Sequence, residues 1–111
     1  MNLYRHGDLA ITQISQEEAK KLIVGDAFKH NKSFVLAEGE TTGHKHLLTT
    51  SNVDDLNVFV DDQGRYILQV EKQATLTHEE HKQIDIMPGW YVVSPEREHD
   101  YFEKNVREVV D

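Results

Sequence analysis

The chain has 111 residues, with 20 acidic against 12 basic side chains, a formal charge of −8, seven histidines and no cysteine. That length fits one domain, residues 1–111, able to bury most of its apolar surface unaided. The lack of cysteine excludes disulfides, thiolate zinc sites and a cysteine nucleophile. The acidic balance argues against a protein that coats long nucleic acid, because phosphate binding is driven by cations and counterion release.

Hydrophobic residues at 38% and charged residues at 29% describe a polar chain that is not depleted enough to be disordered. Met1 to Asp8 has no apolar core resembling a signal peptide, and no run reaches membrane-spanning length. A soluble cytoplasmic protein with no membrane partner is therefore expected.

In chain order, Leu3 to Ile14 reads as one or two strands interrupted near Gly7. Leu9, Ile11 and Gln13 fall on one side and Ala10, Thr12 and Ile14 on the other. Ser15 with Glu18 three residues on has capping-box spacing, and acids precede bases over Glu17 to Lys21, as a helix dipole prefers. A short helix from Gln16 to Val24 is predicted, stopped by Gly25. Phe28 to Ser33 reads as a polar connection, Phe34 to Ala37 as a buried strand, and His44 to Thr50 as another strand. Leu56 to Val60 and Arg65 to Val70 flank Asp61-Asp62-Gln63-Gly64, a hairpin signal. Ala74 to His78, Ile84 to Ile86 and Trp90 to Val93 are further strands, with Tyr101-Phe102 and Val106 to Val110 as closing candidates. The pattern is mainly β, a compact antiparallel barrel or sandwich with one short N-terminal helix.

Two histidine pairs dominate the chemistry: Gly43-His44-Lys45-His46 and Thr77-His78-Glu79-Glu80-His81-Lys82. On a strand, period 2 puts His44 and His46 on one face and turns Lys45 to the other. The second pair ends a strand-like run, where a turn can curl both rings inward. About thirty residues separate the pairs, enough chain to bring them together. The second pair matches neither H-E-x-x-H nor H-x-x-E-H, since only two residues lie between its histidines.

Without a metal, one imidazole serves as general base and another as general acid, a division that suits RNA-type phosphodiester cleavage. His44, His46, His78 and His81 supply the rings, and a cation stabilises the phosphorane. Arg5 and Lys82 are better placed for that than Lys45, which points away. This reading requires no cofactor. The alternative is a metal-binding β-barrel protein, a metal-dependent hydrolase or a non-catalytic metal sensor, with zinc or another divalent transition metal held by His44, His46, His78 and His81 and Glu79 or Glu80 completing the shell.

Secondary candidates are Tyr4-Arg5-His6-Gly7-Asp8 and Glu96-Arg97-Glu98-His99-Asp100-Tyr101, both dense in functional groups and both readable as solvated strand ends. Glu38, Glu40 and Thr42 stand where they could orient imidazoles. A third view, an interaction module with incidental histidines, predicts that His44→Ala and His78→Ala lose only stability.

His-x-His on a strand of a small β protein is similar to the opening of the cupin metal motif. The cupin pattern also wants a glutamate soon after the pair and a histidine just past a Pro-x-Gly turn. Here Leu47-Leu48-Thr49-Thr50 follows the pair, and Pro88-Gly89 leads to Trp90-Tyr91-Val92-Val93. Over most of its length the chain resembles a group of small bacterial and phage-borne proteins. They share the Arg-His-Gly-Asp-like start, Thr-Gly-His-x-His, and His-Glu-Glu-His, here Arg5 to Asp8, Thr42 to His46 and His78 to His81. Some small phage and CRISPR-linked proteins of this size resemble ring nucleases, which cleave cyclic oligoadenylate. That resemblance implies RNA or a cyclic oligonucleotide as substrate, and a site of His44, His46, His78 and His81 in a homodimer.

Overall fold

The computed structural model describes residues 3–6, 9–38, 45–79 and 82–95. Among these residues ten strands and one α-helix follow in chain order, with a 3₁₀ turn at Val53–Asp55: β1 Leu3–His6, β2 Leu9–Ile14, α1 Gln16–Leu22, β3 Ile23–Phe28, β4 Ser33–Glu38, β5 Lys45–Thr50, β6 Leu56–Asp61, β7 Tyr66–Val70, β8 Ala74–Thr77, β9 Ile84–Ile86 and β10 Gly89–Pro95. They form two antiparallel sheets, one ordered β1-β2-β10-β7-β6-β3 and the other β4-β5-β8-β9. Among the described residues the sheets do not close into a barrel. Their facing sides share one core, in which Ile11, Val58, Leu68 and Tyr91 of the first sheet join Leu48 and Leu76 of the second. The molecule is therefore a sandwich, each sheet hiding its alternating apolar face against the other.

α1 begins as expected, with Ser15 Oγ accepting from the Glu18 N–H at 3.1 Å. Glu17 and Glu18 lie in its first turn and Lys20 and Lys21 in its last. It ends earlier than Val24, at Leu22, because Ile23 is already extended (φ −65°, ψ 131°). The stretch from Ile23 to Phe28, expected as helix end and connection, is instead the edge strand β3. Ile23 and Val24 pair with Asp61 and Val60 of β6, and Phe28 pairs with Val58 after a shift in register. Two β-branched residues favour strand, and an open edge gives them partners that helix propensity cannot match. Gly25, φ 79°, serves the irregularity within β3 rather than a helix stop.

The β6–β7 hairpin matches its signal. Asp61 N–H donates to Arg65 O at 2.9 Å, Gly64 N–H donates to Asp61 O at 3.1 Å, and Gly64 takes φ 81°. β10 is longer than Trp90 to Val93 and pairs with the whole of β2, from Ile14↔Trp90 to Leu9↔Pro95. Ala10 is as buried as Ile11, so both faces of β2 are covered at its start. The closing candidates Tyr101-Phe102 and Val106 to Val110 lie outside the described residues. No described helix is long and apolar enough to cross a membrane.

Candidate functional site

The register of the four-stranded sheet brings one histidine of each motif, His46 and His78, together. β5 and β8 pair Leu48↔Leu76 and Leu47↔Thr77, and His46 and His78 follow one step beyond the last pair of that ladder. His46 shares the core-facing side of β5 with Leu48 and Thr50, all buried, while Leu47 and Thr49 face outward. The His46 and His78 rings lie 4.4 Å apart between centroids. Glu79 extends the pairing past the end of β8, its Oε2 accepting the Lys45 N–H at 3.0 Å.

The third ring comes from the other sheet. Tyr4 and His6 share one face of β1 by strand alternation. Tyr4 packs its ring against the buried Tyr91 at 5.8 Å, which anchors β1 and aims His6 into the seam between sheets. There His6 Nδ1 lies 2.9 Å from His46 Nδ1, and His6 Nε2 lies 3.0 Å from Lys82 O. Its ring is 5.1 Å from His46 and 6.1 Å from His78, edge-on to both. His6 and His46 are each 2% exposed. His78 is half-buried and lines a groove of about 320 Å³ with Lys45, Leu47, Thr77 and Glu79. Two buried imidazoles thus stand behind one that meets solvent.

Of the expected site residues, His46 and His78 come together, whereas His44 and His81 lie outside the described residues, as do Glu40, Thr42, Glu80 and Glu96 to Tyr101. Lys82 reaches the cluster through its backbone carbonyl rather than its ammonium. Arg5 is exposed and, between Tyr4 and His6, falls on the opposite face of β1. Lys45 does turn away from His46, but it lines the groove with His78, because His78 sits where the chain leaves β8. The residue that sequence reasoning ranked too low is His6. An aromatic and a histidine two residues apart at a strand end was the available signal, since period 2 sends both inward.

A general acid or base must come within hydrogen-bond reach of its ligand, and of the three rings His78 is the one that lines a groove. Among the described residues, no group of three or more His, Asp or Glu has the arrangement that holds a metal ion. Fold and site together define a two-sheet antiparallel β sandwich with histidines gathered where the sheets meet. The chain belongs to the family described as Domain of unknown function (DUF8820), whose model matches residues 5–96. No curated protein and no solved structure matches it.

Proposed function

We propose that the cluster is the acid–base centre of a small phosphodiesterase, acting without a metal on RNA or a cyclic oligonucleotide. The observation that carries the reading is the junction of a buried histidine pair with His78, which shares its groove with a lysine. In this scheme one imidazole takes the 2′-hydroxyl proton as that oxygen attacks the adjacent phosphorus. A second imidazole gives its proton to the departing 5′-oxygen, leaving a cyclic phosphate and a free hydroxyl. Lys45 is the groove's cation for the phosphorane charge. His78 meets the substrate, and His46 is the partner nearest to it. The protein acts as a homodimer in the cytoplasm, a state that light scattering on the purified chain checks directly.

A divalent transition metal is the second reading, favoured by one observation. A metal-bound histidine characteristically donates its other ring N–H to a carbonyl, as His6 Nε2 faces Lys82 O. A complete shell would then need residues outside the described ones, such as His44 or His81.

Untagged protein incubated with labelled RNA and with cyclic oligoadenylate in EDTA tests the proposal. Cleavage in EDTA, reduced about 10²-fold or more in His78→Ala, is the expected result. Cleavage only after adding zinc or manganese favours the metal, and no cleavage under any condition overturns the phosphodiesterase; metal analysis of the same untagged protein decides the second reading, which a metal-free protein with unchanged melting after EDTA overturns.

A further inference from the structure

The hydrogen bonds around His6 fix which atoms of the cluster carry protons. Lys82 O is a carbonyl and only accepts, so His6 Nε2, 3.0 Å away, must be the N–H donor. A neutral His6 then has its lone pair on Nδ1. The Nδ1–Nδ1 contact of 2.9 Å needs one hydrogen, and His46 has to supply it. His46 is thereby the Nδ1–H tautomer, and its basic lone pair is on Nε2. The same arrangement survives protonation of His46, since Nδ1–H donates to His6 in both states and only Nε2 changes.

We infer that His6 is a positioning residue that reads the Lys82 carbonyl and locks His46 as the Nδ1–H tautomer, leaving the lone pair of the neutral ring on Nε2. His6 need not touch substrate. Its burial excludes water that would otherwise satisfy His46 Nδ1 in either form. The use of that atom in catalysis rests on the acid–base proposal above, but the tautomer does not.

Substitutions at His6 separate the lock from simple packing. A glutamine can copy the pattern, its amide N–H donating to Lys82 O and its carbonyl oxygen accepting from His46 Nδ1. A phenylalanine fills similar space and offers neither.

Long-range ¹H–¹⁵N correlation of the ring nitrogens, about two pH units above the ordinary histidine value of roughly 6.5, reads the tautomers directly. EDTA-treated wild type and His6→Gln are expected to show His46 protonated at Nδ1 and bare at Nε2. His6→Phe is expected to release His46 towards the Nε2–H form. His46 found as Nε2–H in the wild type overturns the inference, because His6 would then be the doubly protonated donor. An unchanged tautomer in His6→Phe also overturns it. So do two bare Nδ1 atoms that become protonated only when EDTA is added, which would mark a metal between them. If His6→Phe does not fold, wild type and His6→Gln still decide, since loss of the Nδ1–H tautomer in either one overturns the lock. A locked tautomer in a protein that cleaves no phosphodiester leaves the inference standing and removes the proposed function.

Discussion

A buried carboxylate is tolerated only where donors replace its water, and Asp61 shows the requirement met within one turn. Its Oδ1 accepts from the Gln63 and Arg65 N–H groups at 3.0 and 2.8 Å, and its Oδ2 accepts from Arg65 Nε at 2.7 Å. Burial pushes the carboxyl up. The Arg65 backbone and guanidinium, with the Gln63 backbone, outweigh that and hold it below the ordinary aspartate value. A carboxyl depressed by folding stabilises the protein above its unfolded value and loses that contribution as pH falls through its folded value. The loss attributable to Asp61 therefore falls below about pH 4. Asp61→Asn keeps an acceptor for the two backbone groups but turns an NH₂ towards Arg65 Nε. Urea denaturation at pH 7 should show a loss of about 1–3 kcal/mol. The difference between wild type and variant should shrink as the pH is taken from 5 to 3. A constant difference across that range would mean that the charge contributes nothing.

At the scale of elements, the turn from β9 into β10 is where backbone geometry is least replaceable. Gly89 has φ 151°, and a Cβ there would lie 2.9 Å from Gln13 Nε2 and 3.4 Å from Tyr91 Oη. Tyr91 Oη in turn donates to Met87 O at 2.7 Å, closing the turn over the core. Gly64, φ 81°, has open space where its Cβ would go. Gly64→Ala thus costs only backbone strain, about 1 kcal/mol, whereas Gly89→Ala adds crowding and should cost more, up to about 3 kcal/mol. Paired thermal melts check the order, and equal losses would show that Gln13 simply moves aside. Elements of this kind differ in how far the residues announce them. α1 was legible because Ser15 and Glu18 act locally, and the β6–β7 hairpin because Asp61 and Gly64 do. β3 was not: nothing within Ile23–Phe28 says that β6 will lie alongside it, and Gly25 reads equally as helix stop or bulge. The site was half legible for the same reason. Alternation placed His46 on the inner face of β5, but the step that brings it to His78 belongs to long-range register. His6 was hidden more deeply, since its partner is forty positions away on the other sheet.

For the whole molecule, the decisive fact is that the cluster spans the seam of the sandwich. His6 belongs to the six-stranded sheet, and His46 and His78 to the end of a β5–β8 pair in the four-stranded one. The 2.9 Å contact of His6 with His46 therefore exists only while the sheets are docked, and docking is driven by the apolar face they share. Leu48 is the core residue that links these two facts. It is fully buried, two positions from His46 on the same face of β5, and directly opposite Leu76. Leu48→Ala should leave a cavity that neighbouring strands close only in part, costing about 2–5 kcal/mol. In urea the midpoint should fall with the slope unchanged if the sandwich unfolds as one unit. The His46 ring signals should then be lost over the same urea range as the core signals. Loss of the ring signals at lower urea than the core would instead show the seam opening locally at the histidine end. The His6 contact would then be a latch on a movable edge rather than part of the cooperative core.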